Sequence, residues 1–189
     1  MHLLIIDNYD SFTYNLAHLF ESCGVRVTVR RNNTSLEELV SLEADALCIS
    51  PGPGTPADSG VSFDALRHWE KQIPILGVCL GMQVINEFYG GLTVHAPLPI
   101  HGKTDIVEHT AVGLFAGIGG PFKAARYHSL VIERNSDELD ETAWSGDGCV
   151  MAVAHISLPI TGVQFHPESF LTEHGATMAR NFLDLGGAA

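Results

Sequence analysis

The chain opens on an apolar run, residues 3–6, that turns polar at once in Asp7-Asn8-Tyr9-Asp10-Ser11. Four apolar residues closed by turn formers read as a strand buried on both faces. Phe12, Leu16, Leu19 and Phe20 then recur at helical spacing up to Gly24, a plausible helix stop. Residues 25–29 read as a second strand, and Ser35-Leu36-Glu37-Glu38 has the S-x-x-E form of a capping box that opens a short helix. Residues 46–49 read as a third strand, ended by Ser50-Pro51-Gly52-Pro53-Gly54-Thr55-Pro56. A helix at about 61–71, a strand at 73–78 and a helix at about 80–89 continue the rhythm. Strand and helix in alternation predict a mostly parallel sheet with helices on both faces. After Gly90-Gly91 the texture changes: Val/Thr/Ile-rich pieces with polar turns run to about residue 163 with little helical periodicity, as antiparallel hairpins added to one side would. A last helix, roughly 172–185, precedes the small-residue tail 186–189. No repeat or linker interrupts the pattern, so residues 1–189 are expected to form a single α/β domain.

Composition narrows the class. The 46% apolar and 17% charged fractions allow a stable core. Ten Lys and Arg against twenty-two Asp and Glu leave a net charge of −12. So acidic a surface repels phosphate backbones and anionic lipid, and neither nucleic acid nor membrane is expected as a partner. No apolar run near the start reaches the length of a signal sequence or a span, and Cys23, Cys48, Cys79 and Cys149 show no CxxC pair or ligand spacing. A cytoplasmic protein with reduced thiols is the expectation.

One cysteine stands apart. In Gly77-Val78-Cys79-Leu80-Gly81 a buried strand ends at Cys79, a helix begins at once, and a glycine lies two residues away on either side. This G-x-C-x-G is the cysteine counterpart of the G-x-S-x-G nucleophile elbow. Its glycines admit close approach of strand and helix, and the sulfur sits at the positive end of a helix dipole, where a thiolate is favoured. The Leu80 N–H would point towards an oxyanion on the attacked carbon. A buried cysteine where a strand happens to meet a helix would carry the same residues, and the rest of the chain decides. Residues 160–165 read as a strand ending in His166-Pro167-Glu168-Ser169, which offers a base for the cysteine and a carboxylate to orient that base. The turn containing Gly52, Pro53 and Gly54 follows the third strand at its C-terminal end, where open α/β sheets place ligands and where glycine N–H groups could serve as oxyanion donors. It lacks the G-K-[ST] of a phosphate loop.

Six blocks now fall in order: Asp7-Asn8-Tyr9-Asp10-Ser11-Phe12-Thr13, Ser50-Pro51-Gly52-Pro53-Gly54, Gly77-Val78-Cys79-Leu80-Gly81-x-Gln83, His101-Gly102-Lys103, Arg126-Tyr127-His128-Ser129-Leu130 and Gly162-Val163-Gln164-Phe165-His166-Pro167-Glu168-Ser169. Together they resemble the class I (triad) glutamine amidotransferases. Within that class they look most like the small subunits of anthranilate synthase and aminodeoxychorismate synthase. The resemblance implies a flavodoxin-like fold with an added small antiparallel sheet. It implies that Cys79 attacks the side-chain amide of L-glutamine, releasing ammonia and leaving a γ-glutamyl thioester, and that His166, oriented by Glu168, serves both half-reactions. Leu80 and one glycine of Gly52-Pro53-Gly54 would line the oxyanion hole, and Gln83, Ser129 and Leu130 would hold the amino-acid end of the substrate. No metal or organic cofactor is implied on this chain. The implied partner is the large subunit of a chorismate-utilising synthase, which would use Mg2+.

Two positions depart from the pattern: Met82, where many small subunits carry histidine, and Asp105, where serine is common. The latter touches a stretch expected at the partner surface, where residues 7–13, 101–104 and 126–129 would line one face around the mouth of the site. Three other readings stay open at this point: a stand-alone Cys-His-Glu γ-glutamyl hydrolase, a non-catalytic stabilising subunit, and a flavodoxin-like signalling or nucleotide module.

Overall fold

A computed structural model describes residues 1–186, with the side chains of residues 97–101 outside the description. The expected tail beyond residue 186 and the side chain of His101 therefore lie outside the described residues. The elements run β1 (His2–Asp7), α1 (Thr13–Glu21), β2 (Arg26–Arg31), α2 (Leu36–Val40), β3 (Ala46–Ile49), α3 (Ser62–Trp69), β4 (Ile75–Val78), α4 (Leu80–Phe88), β5 (Leu92–His109), β6 (Phe122–Glu133), β7 (Leu139–Ser145), β8 (Val150–His155), β9 (Ile160–Val163) and α5 (Gly175–Asp184).

Among the described residues the strands hydrogen-bond in the order β2-β1-β3-β4-β9-β8-β7-β5-β6. The five from β2 to β9 are parallel. From β9 onwards every pairing is antiparallel. The antiparallel strands thus extend the parallel ones edge to edge, with β9 as the shared seam. Period-2 alternation sends neighbouring residues of a strand to opposite faces. Leu3 and Ile5 of β1 join a core with Leu16 and Phe20 of α1 and Met178 and Phe182 of α5. Leu4 and Ile6 join a second core with Leu39 of α2, Leu66 and Trp69 of α3, and Met82 and Ile85 of α4. Helices cover both faces, as the apolar runs require.

The cap before α2 forms: the Ser35 hydroxyl accepts from the Glu38 N–H at 3.2 Å. Glu38 turns its carboxylate to Arg30 instead of back to the cap. The last helix starts later than the sequence pattern suggests. Thr172 is drawn out of it, donating to the His166 carbonyl at 2.6 Å and accepting from the Ala125 N–H at 3.0 Å. At Gly175 the chain presses against the Pro167 carbonyl, which a side chain would meet at 2.1 Å. The helix begins at that contact.

Candidate active site

The sharp turn after β4 is an elbow in the strict sense. Cys79 has φ +53° and ψ −104°, a conformation that only glycine enters without strain. The flanking glycines make it possible. A Cβ on Gly77 would lie 2.4 Å from the Gly81 carbonyl group, and one on Gly81 would lie 2.2 Å from the Ile49 carbonyl oxygen of β3. Met82, one of the two departures, is fully buried over Gly162 of β9 and so serves as packing between α4 and the seam strand.

The β4–β9 ladder, with Val78 opposite Val163, brings the strand end that carries Cys79 beside the one that leads to His166 and Glu168. Its last link is the Cys79 N–H, which donates to the Val163 carbonyl at 2.7 Å. Three residues beyond Val163, His166 Nδ1–H donates to Glu168 Oε1 at 2.6 Å, with both side chains buried. Burial alone would push the imidazole down, but the Cys79 sulfur and the Glu168 carboxylate outweigh it and raise His166 to about 10. Hydrogen bonding to the sulfur and the sulfur's charge both raise the imidazole, and the buried Nε2 has no other partner among the described residues. Phe12 and Tyr127 clamp the ring edge-on, with centroids 5.4 and 5.2 Å from that of His166.

A cleft of about 180 Å³ opens beside the sulfur, room for an amino acid. It is lined by Gly52, Pro53, Gly54, Cys79, Gln83, Tyr127, His128, Ser129 and Leu130. Of the binding residues expected from sequence, Leu80 alone is absent from this lining. Its side chain is buried against Gly52, so its contribution would be the backbone N–H at the start of α4. The Gly52–Gly54 turn is held at both ends. A Cβ on Gly52 would meet Asn8 at 2.5 Å, and beyond Gly54 the Asp58 carboxylate accepts from both the N–H and the hydroxyl of Thr55 at 2.9 Å.

The structure also gives places to Arg126, His128 and Gln164, which the sequence blocks contain without an assigned role. Arg126 is fully buried, with Nη1 bound to Asp105 at 2.6 Å and to Asp147 at 2.9 Å. Asp105, the second departure, thus has an inward partner. Arg126 Nε donates to His128 Nε2 at 3.1 Å, and His128 Nδ1–H donates to the Leu130 carbonyl at 2.9 Å. Burial first, and then the Arg126 charge, lower His128 to about 4 and keep it neutral. The Leu130 carbonyl also accepts from Gln83 Nε2 at 3.4 Å, and the same nitrogen donates to Gln164 Oε1 at 3.2 Å. Gln164 Nε2 then donates to Cys79 Sγ at 3.5 Å. Gln164 sits inside the G-V-Q-F-H-P-E block, but only contacts from other strands reveal its place beside the sulfur.

The other expected blocks separate into knot and surface. Asp7 is buried and accepts from the Tyr9 and Asp10 N–H groups and from the Thr13 hydroxyl. The Asn8 N–H donates to the Ser50 hydroxyl at 2.9 Å, which ties β1 to the end of β3. Phe12 against Tyr127 joins residues 7–13 to residues 126–129 beside the site, and Lys103 is exposed on β5. Arg126, expected on that outer face, is instead buried, with its charge met by two partly exposed carboxylates, Asp105 and Asp147. Among the described residues no group of three or more His, Cys, Asp or Glu could hold a metal ion, and no helix is long and apolar enough to cross a membrane.

Comparison with known proteins agrees with this geometry. The chain is similar to anthranilate synthase component 2 of Cyanophora paradoxa, at 47% identity over 186 residues, covering 96% of this chain and 98% of the relative. It is similar to aminodeoxychorismate synthase component 2 of Klebsiella aerogenes, at 48% identity, with 96% and 99% covered. A relative in Bacillus subtilis, at 44% identity with 96% and 95% covered, is named aminodeoxychorismate/anthranilate synthase component 2. Among solved structures, that of a candidate GMP synthase component from Thermoplasma acidophilum superposes with a TM-score of 0.90 at 25% identity, covering all of this chain and 94% of that one. The family model for glutamine amidotransferase class-I matches residues 4–185, from the first strand through the last helix, and the chain belongs to that family.

Proposed function

We propose that the chain, as one glutaminase domain, hydrolyses L-glutamine and delivers ammonia to a chorismate-utilising synthase subunit that makes anthranilate, 4-amino-4-deoxychorismate or both. The observation that carries this reading is the meeting of the Cys79 elbow with the His166–Glu168 pair beside an amino-acid-sized cleft. The ionised Cys79 sulfur attacks the side-chain carbonyl carbon of glutamine. The carbonyl oxygen takes the charge, facing the Leu80 N–H and one glycine N–H of the Gly52–Gly54 turn. His166, as imidazolium, gives its Nε2 proton to the departing nitrogen, the C–N bond breaks and ammonia leaves. The neutral ring then takes a proton from water, whose oxygen attacks the thioester. The C–S bond breaks, the electron pair returns to sulfur, and glutamate is released. Glu168 supports the imidazolium in both halves, and Gln83, Ser129 and Leu130 hold the amino-acid end of the substrate.

The names of the curated relatives support a synthase partner, and the Bacillus subtilis name supports use of one such subunit for both products. The reading needs no cofactor on this chain, assigns Mg2+ to the synthase, takes neither nucleic acid nor membrane as partner, and puts the protein in the cytoplasm. The test is glutamine hydrolysis by the isolated chain and by the chain with an anthranilate- or aminodeoxychorismate-forming synthase and chorismate. Low activity alone and a large rise in the mixture are expected, together with selective labelling of Cys79 by a glutamine-analogue electrophile. Full activity alone, unchanged by any such synthase, would make the protein a stand-alone γ-glutamyl hydrolase. Equal labelling of all four cysteines would remove Cys79 from the mechanism.

A further inference from the structure

We propose that Gln164 is a further catalytic residue, whose side-chain N–H donates to the Cys79 sulfur and stabilises it as the leaving group when the thioester is hydrolysed. The inference rests on the glutaminase reading above. Three observations carry it: the 3.5 Å contact from Gln164 Nε2 to Sγ, the complete burial of Gln164, and a hydrogen-bond chain that fixes which end of its amide faces the sulfur.

The polarity of that chain is set at the Leu130 carbonyl, which can only accept. A guanidinium can only donate. Arg126 Nε therefore makes His128 Nε2 an acceptor, so the His128 proton is on Nδ1 and is given to the Leu130 carbonyl. Gln83 presents its amide nitrogen to the same carbonyl, and that nitrogen also donates to an oxygen of Gln164. With its oxygen held by Gln83, Gln164 has its NH2 group directed at Cys79. Flipping this amide would set nitrogen against nitrogen at Gln83 and oxygen against sulfur at Cys79. Arg126 is itself anchored by Asp105 and Asp147, so the His128 end of the network is held in place by two carboxylates.

A donor so placed acts unequally on the two half-reactions. It stabilises an ionised sulfur more than the uncharged sulfur of a thioester. In acylation this raises the population of attacking thiolate but lowers its nucleophilicity, and the two effects largely offset. In deacylation the sulfur only leaves: the C–S bond breaks, the pair goes to sulfur, and a stabilised thiolate departs faster. The contribution therefore falls on hydrolysis of the γ-glutamyl thioester.

The test compares wild type with Gln164→Met, which keeps the bulk without the donor, and Gln164→Glu, which keeps the oxygen facing Gln83. Each is assayed with glutamine and activating synthase, and the intact chain is weighed after acid quench. Expected for both variants is a fall in kcat of about 10- to 100-fold, the scale of a lost hydrogen bond to a charged group. With deacylation slowed, KM should fall in parallel, kcat/KM should stay within about 3-fold, and a γ-glutamyl adduct on Cys79 should accumulate. A merely structural residue would lower kcat/KM and leave no adduct. Unchanged kcat, or kcat and kcat/KM falling together without adduct, would overturn the assignment, as would failure of both variants to fold. Absence of Cys79-dependent hydrolysis in wild type would instead overturn the glutaminase reading.

Discussion

In the proposed mechanism His166 and Glu168 divide one task, and the division can be measured. There the histidine exchanges protons with substrate in both half-reactions, whereas the carboxylate, 2.6 Å from the ring, acts through it. His166→Ala should slow formation and breakdown of the thioester by orders of magnitude, a range accessible to rapid-quench kinetics. Glu168→Gln keeps an acceptor and loses the charge, so it should be the milder change; the reverse ranking would invert the proposed roles. Cys79, His166 and Glu168 could be singled out in the sequence because each sits in a local pattern, an elbow between glycines or a His-Pro-Glu turn. Gln164, Tyr127 and His128 were legible only as members of blocks. Their places beside Cys79 and His166 come from contacts between distant segments, such as the 85 positions from Cys79 to Gln164, and no local spacing records those.

At the scale of elements, the parallel half was legible because fully buried strands are short apolar runs punctuated by turns. The antiparallel half was legible in kind but not in order. β5 is 18 residues long, pairs with both β6 and β7, and shifts register against β6 between His95 and Ile100. Such shifts break the alternation that marks a strand. Strand order there depends on which edge a hairpin finds, a tertiary choice that the pattern does not encode. The elbow makes a testable claim about fit. Gly81→Ala would set a methyl 2.2 Å from the Ile49 carbonyl, so β3 and α4 must part. Overpacking of this kind costs about 1–3 kcal/mol. A lower urea midpoint and loss of glutaminase activity are expected together. Gly146→Ala, with no atom within 4 Å of the added methyl, should leave both unchanged.

Across the whole molecule, stability should carry the mark of one buried histidine. The groups acting on His128 include the Arg126 guanidinium and His166, which lower it further after burial, and Asp147, which opposes them. With the folded value near 4 and an ordinary value of 6.5, the unfolded chain binds a proton that the folded chain refuses. The associated stability is fully present above pH 6.5 and is lost as pH falls towards 4. The loss from His128 alone is about 2–3 kcal/mol between pH 7 and pH 4.5. Denaturation midpoints at those two pH values should therefore differ more in wild type than in His128→Gln. An equal difference would show that His128 titrates normally.

The seam strand has a consequence for synthesis. β9 is the last strand of the sheet to be made, yet it lies in the middle, hydrogen-bonded to β4 on one side and β8 on the other. The parallel strands cannot connect to the antiparallel ones until it inserts. Because His166 and Glu168 follow it directly, insertion of β9 would also bring the proposed base and its carboxylate to the end of β4 that carries Cys79. A chain emerging from the ribosome carries its cysteine long before it carries a base. Under the proposed mechanism, chains that stall or are cut before β9 would bear a thiol with no base, and such fragments would release no ammonia.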